Sequence, residues 1–142
     1  MRIVKILFLA VVLLASSSVF AQREAEKVLA VPQGKAVIYL VRPSGYVGYF
    51  RIVNKIDSTE LPNVGGKEYV TMVVEPGKHK VVCKGSTGPT DLDVDAKAGE
   101  SVYVIIDVKC PFMGVFSANL EIEKEEKKIE KFIKKSDWVK KK

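Results

Sequence analysis

The stretch Tyr69 to Lys84, YVTMVVEPGKHKVVCK, limits the fold more than any other part of the chain. Val70, Met72 and Val74 share one face of an extended run, and Tyr69, Thr71 and Val73 share the other. After Pro76-Gly77, His79, Val81 and Cys83 alternate with Lys78, Lys80, Val82 and Lys84. A period of two belongs to strands, and β-branched residues fit a pleated surface. Pro76 fixes φ and lacks an N–H, while Gly77 tolerates conformations closed to other residues, so the dipeptide marks a tight turn. The expectation is a β-hairpin folded about Pro76-Gly77, with one strand covered on both faces and the other half-exposed.

The same pattern recurs along the chain. Lys35–Arg42, KAVIYLVR, is almost continuously apolar and reads as a central strand covered on both faces. Tyr46–Val53 follows as a strand in which Gly48 marks a bulge or a close backbone approach. Asn54-Lys55 offers a turn into Ile56–Leu61, a short polar strand at a sheet edge, and residues 62–66 form a loop. Gly85 to Pro89 reads as a second loop. In Asp91–Lys97, Leu92, Val94 and Ala96 alternate with acids, which predicts a half-buried strand. Ser101–Lys109 is a second strongly apolar strand, and Phe112–Ile122 a weaker one interrupted by Gly114. Some eight short, turn-separated strands have the spacing of sandwiches and small barrels, and the expectation is an all-β, mostly antiparallel sandwich of seven or eight strands with a C-terminal helix. From Glu123 the composition shifts to Lys and Glu. Ile122, Ile129, Phe132 and Ile133 are spaced like one helix face, and Glu123/Lys127 and Glu130/Lys134 are favourable i,i+4 pairs. Trp138 and Val139 anchor the end of that helix.

The first residues carry Arg2 and Lys5, an apolar run from Ile6 to Leu14 and small residues up to Ala21. This is the pattern of a cleaved secretory signal, too short to span a bilayer comfortably. Cleavage after Ala21 leaves Gln22 first, with no cysteine there to carry a lipid. The expected organisation is a signal peptide over residues 1–21, a leader over 22–33, a sandwich over 34–121 and a charged helix and tail over 122–142. The expected location is outside the cytoplasm, periplasmic or secreted, as a soluble chain. Loss of Arg2 and Lys5 lowers the formal charge from +6 to +4, and nine lysines against six acids from Glu121 onward supply +3 of that. The basic balance therefore belongs to the tail, and a near-neutral body argues against nucleic acid as a partner. Cys83 and Cys110 both fall in the exported part, where a bridge can persist. Each is in phase with core-facing neighbours, which leaves two readings open, a disulfide or two buried thiols. Their spacing is neither CxxC nor a zinc pattern.

Residues able to do chemistry are few. His79 is the sole histidine. A strand position beside a turn suits a structural imidazole bonded to a nearby loop, and no triad or metal cluster accompanies it. Asp91, Asp93 and Asp95 lack the glycine and glutamate of a calcium loop and read as a solvated strand face. Neither Gly45–Gly48 nor Gly65-Gly66 leads into a phosphate-binding helix. Tyr46, Tyr49 and Phe50, beside flexible glycines, are the best candidates for a binding lip, although aromatic residues are also ordinary strand formers that could close one end of the core. No enzyme, cofactor or metal is expected.

The run Gly34-Lys35-Ala36-Val37-Ile38-Tyr39-Leu40-Val41-Arg42-Pro43, with Leu61, Tyr69 and Glu75-Pro76-Gly77-Lys78-His79 after it, resembles the DUF2846 family. That family opens on GKAxIYxxRP, has a PGxH turn and carries an AGxxYY segment, matched here in part by Ala98-Gly99-Glu100-Ser101-Val102-Tyr103. The resemblance spans about Gly34 to Val108. It implies a secreted or lipid-anchored β-sandwich, similar in style to transthyretin-like and carboxypeptidase-regulatory modules. It implies no catalytic residues, and a structural place for His79 at the start of its strand. The expected function is a non-enzymatic envelope module that binds a protein or glycan through its loops or an open strand edge. The alternative is a structural subunit docked by its C-terminal helix.

Overall fold

A computed structural model describes residues 30–139 of the chain. The signal peptide, most of the leader and the last three lysines expected from the sequence lie outside these residues. The fold is an all-β sandwich of two sheets with one short C-terminal helix. In chain order the strands are β1 (Ala36–Arg42), β2 (Ile52–Ile56), β3 (Thr59–Val64), β4 (Glu68–Val74), β5 (Gly77–Gly85), β6 (Gly88–Ala96), β7 (Ser101–Phe112) and β8 (Val115–Glu123). The helix α1 (Glu126–Lys134) and a two-residue strand β9 (Asp137–Trp138) complete it.

One sheet has the order β8-β7-β1-β4-β9 and the other β3-β2-β5-β6. β1 is buried along its whole length, as its continuous apolar run demands. It pairs antiparallel with β4 and parallel with β7. Ile38, Leu40, Val104 and Ile106 from the first sheet meet Ile52, Ile56, Val81 and Val94 from the second in one core. On the other face of the first sheet Tyr39 stacks on Tyr103, ring centres 4.5 Å apart.

β4 and β5 do not form the expected hairpin. β4 lies in the first sheet between β1 and β9, whereas β5 lies in the second between β2 and β6. Glu75-Pro76 carries the chain from one sheet to the other, and Gly77 takes φ +133° at the corner. The turn chemistry was legible, but both flanking strands find their ladder partners elsewhere. The turn after β2 also differs from expectation. Asn54 and Lys55 belong to the strand, and the reversal falls at Asp57-Ser58, with Asp57 at φ +54°. Asn54 is fully buried and its amide donates to the carbonyls of Ile52 and Pro62, so a polar residue that looked like a turn is a satisfied interior one. Between β5 and β6 the expected loop shrinks to Ser86-Thr87, and Pro89 sits at the start of a strand.

The helix begins three residues later than its charge pattern suggests. Glu123 stays at the end of β8 and its carboxylate accepts the N–H groups of Lys124 and Glu125, each at 3.1 Å. Ile133 is buried, Ile129 and Phe132 are half-buried, and Glu130 pairs with Lys134 at 2.6 Å. The strand after it was not anticipated. Asp137 and Trp138 run parallel to Glu68 and Tyr69, and the Val139 N–H donates to the Tyr69 carbonyl at 2.9 Å. Two residues are too few to show a period, which is why this strand escapes a reading of the sequence. No described helix is long and apolar enough to cross a membrane.

Cys83 and Cys110 are both free. Cys83 is buried on the core face of β5 and its thiol donates to the Asn54 side-chain oxygen at 3.2 Å. Cys110 lies on β7 beyond a break in the β7–β8 register, and its thiol donates to the Phe112 carbonyl at 3.0 Å. The expected core-facing phase holds for Cys83, whereas the register break leaves Cys110 only half-buried, and the two thiols are not brought together. Burial pushes the Cys83 thiol up to about 12, which suppresses its thiolate. In the native protein a thiol reagent should therefore modify Cys110 readily and Cys83 only on unfolding. Intact mass should not change by two hydrogens on reduction.

Candidate functional site

Arg42, the last residue of β1, is 1% exposed. Its side chain is enclosed, and among the described residues no carboxylate takes a hydrogen bond from it. Instead the guanidinium donates to backbone carbonyls: Val47 at 2.9 Å, Tyr46 at 3.2 Å, Val64 at 3.4 Å, and Phe50. An arginine has five N–H donors in a fixed fork, so one side chain can hold several carbonyls at once. Burial lowers its pKa and the nearby Glu68 carboxylate opposes that. The expected strand over Tyr46–Val53 is accordingly a compact turn as far as Phe50, and β2 starts only at Ile52. Carbonyls that a strand would give to its neighbour point at Arg42.

Glycines let this turn close against the one before β4. A side chain at Gly66 would come within 2.7 Å of the Gly48 Cα and 3.0 Å of the Gly45 Cα. The Gly66 N–H instead donates to the Gly48 carbonyl at 3.2 Å. Val47 sits at φ +46°, a strained setting for a β-branched residue, and Arg42 holds its carbonyl. Glu68 braces the same corner by accepting from Arg51 at 2.8 Å and from the Gly65 N–H at 2.8 Å.

These contacts present Tyr46 and Tyr49, which are 60% and 74% exposed. Tyr49 packs on Phe50 at 4.3 Å, and Phe50 stacks on Phe116 of β8 at 4.6 Å. The Tyr46 hydroxyl reaches the Cys110 carbonyl of β7 at 3.4 Å. Beyond Cys110, the tip of the β7–β8 hairpin exposes Phe112 at 74%, Met113 at 95% and Val115. The Ser86-Thr87 turn joins the same end, its hydroxyls bonded to Phe116. Three separate connections thus converge on one aromatic end. The sequence reading placed Tyr46, Tyr49 and Phe50 there but missed the hairpin tip. The available signal was Phe112-Met113-Gly114-Val115, in which apolar residues flank a turn glycine where polar ones are usual.

His79, Pro76 and Gly77 lie towards the opposite end of β5 from Gly85, whose backbone packs on Phe116. His79 Nδ1 is 2.7 Å from an Asp57 carboxylate oxygen and Nε2 is 2.6 Å from the Glu75 carbonyl. The other Asp57 oxygen accepts the Lys80 N–H at 3.0 Å. The His79 bond, followed by that N–H, holds the Asp57 carboxyl below its usual range. The arrangement clasps the β2–β3 turn to the sheet-switching corner. A general base needs a ring nitrogen that can reach a substrate proton, and here both ring nitrogens are engaged. A cleft of about 420 Å³ opens beside this clasp, lined by Lys78, Lys80, Asp93 and Asp95. The β5–β6 register sets Lys78 opposite Asp95 and Lys80 opposite Asp93, and the Lys80 amine is 3.6 Å from Asp91. The aspartates therefore face lysines across the strands, and among the described residues no group of three or more His, Cys, Asp or Glu could hold a metal.

Compared with known proteins, the chain matches no family model and no curated sequence.

Replacing Arg42 with Met leaves buried carbonyls without a donor and should lower stability by about 3 kcal/mol in urea unfolding. Arg42→Lys should recover less than half of that, because an ammonium is a compact charge without the planar fork. Wild-type stability in Arg42→Lys would show that charge alone, not the fork, organises the turn.

Proposed function

We propose that this chain is a non-enzymatic exported binding module and that it binds through the aromatic end of its sandwich. The observation that carries this reading is the exposure of Tyr46 and Tyr49 on a turn held from beneath by Arg42. Exposed rings that are already fixed in place lose little freedom on binding, which favours their use as anchors. The GKAVIYLVRP opening supports a DUF2846-like module, and in that setting Arg42 is the residue that shapes the binding turn. The N-terminal sequence pattern supports export, which places the partner, a protein or a glycan, in the cell envelope.

The other two routes considered from the sequence have less support. β3 is indeed an edge strand, but Pro62 interrupts its hydrogen-bonding row. The apolar stripe of α1 is turned inward, and β9 behind it is paired with β4, which argues for a structural place in this domain rather than a docking arm.

The test is capture from envelope extract and binding to a glycan array by the chain from Gln22. Tyr46→Ala/Tyr49→Ala should weaken a specific interaction at least tenfold while leaving the unfolding transition in place, because both rings are largely in solvent. Unchanged binding in that variant, with loss instead on Lys127→Glu/Lys131→Glu, would move the function to the helix.

A further inference from the structure

The hairpin tip differs from the tyrosines beside it. Met113 stands almost wholly in solvent and Phe112 largely so at the β7–β8 reversal, and Gly114 takes φ +78° to make that turn. Large apolar side chains at a convex tip are unusual on a soluble surface, where such exposure marks an interaction site. Tyr46 reaches the Cys110 carbonyl two residues before Phe112, and Tyr49 joins β8 through Phe50 and Phe116. This order, apolar at the point and amphipathic tyrosine behind, is the order in which side chains distribute across the water–lipid boundary.

Charge around the tip points the same way. Lys109 lies three residues before Phe112 on β7, and Lys84 is the penultimate residue of β5. Lys67 reaches over Gly45, its Cε 3.3 Å from where a Cβ would stand. All three are exposed. The acids at this end, Glu68 and Asp137, sit on the β4–β9 side away from the hairpin tip, and Glu68 is paired with Arg51. Asp107 is further down β7, opposite Asn119. Long cationic side chains can lay their stems along an apolar edge and place their amines at the headgroup level.

We infer that the aromatic end is a membrane-interface element, in which Phe112 and Met113 enter the acyl boundary of an anionic bilayer while Lys67, Lys84 and Lys109 meet its headgroups. This rests on the reading of that end as the binding surface and names its partner as lipid. A sugar-binding platform would need amide or carboxylate partners for hydroxyl groups beside its rings. The side chains at the tip are instead Phe, Met and Val.

Vesicles of phosphatidylcholine with about one third phosphatidylserine, and of phosphatidylcholine alone, separate the possibilities in a co-sedimentation experiment with the chain from Gln22. Residues 31–139 form one compact unit, so this chain carries the complete sandwich. Binding is expected to the anionic vesicles, with at least tenfold weaker binding to the neutral ones. Phe112→Ser/Met113→Ser should reduce binding to anionic vesicles at least tenfold, and Lys109→Glu about fivefold or more. Both substitutions lie in solvent, and an unchanged thermal transition verifies the fold. Equal binding of the double variant, or no binding of the wild type, overturns the lipid assignment. If the wild type ignores vesicles yet Phe112→Ser/Met113→Ser abolishes capture of a protein or glycan, the end is a binding surface with a different partner. If the double variant changes neither while Tyr46→Ala/Tyr49→Ala still weakens capture, the lipid assignment falls and the binding surface stands; if neither variant changes anything, both readings fall together.

Discussion

A buried cation bonded to carbonyl oxygens organises one end of this protein. Arg42 ends the central strand, and its guanidinium meets carbonyls of the turn that follows and of Val64 in the second sheet. An arginine cannot shed its charge at any ordinary pH, so burial obliges the surrounding backbone to supply acceptors. The turn from Tyr46 to Phe50 is shaped by that demand. The strained Val47, the glycine contacts between Gly48 and Gly66 and the outward tyrosines follow from bringing those carbonyls to one point.

The two ends of the sandwich solve different problems. At one, His79 and Asp57 tie a turn to the corner where the chain changes sheets, and every polar group involved is turned towards another part of the protein. At the other, backbone carbonyls are satisfied inwardly by Arg42, and the side chains facing outward include Tyr46, Tyr49, Phe112 and Met113 beside exposed lysines. The first arrangement ties a turn to the sheet-switching corner; the second leaves Tyr46, Tyr49, Phe112 and Met113 largely in solvent. A fold can host many functions, and the difference between these ends is what directs attention to one of them.

Much of this was legible in the sequence because strands announce themselves by period. The burial of β1, the phase of β5 and the alternation of β6 all follow from residue order alone. Partnership was not legible. Pro76-Gly77 states that the chain turns, but whether β4 and β5 then pair depends on β1, β2, β6 and β9, which are distant in sequence. The same limit separated Cys83 from Cys110. Tyr46–Val53 looked like a strand because its side chains suit one, and only the burial of Arg42 diverts its carbonyls. Arg42 itself read as the polar end of a strand. Nothing in local composition distinguishes a solvated arginine from one that anchors a turn.

Amide hydrogen exchange in the native protein tests the central claim most directly. Gly48, Phe50 and Gly66 donate to Gly45, Val47 and Gly48 within the turn that Arg42 holds. These amides should exchange slowly, alongside the neighbouring strand amides, since the Phe50 amide bonds the Val47 carbonyl that Arg42 also holds, and the Gly48 and Gly66 amides close the same turn around it. Exchange at the rate of an unstructured peptide while the strands stay protected would mean that Arg42 does not fix the turn, and the aromatic end would then not be a preformed surface.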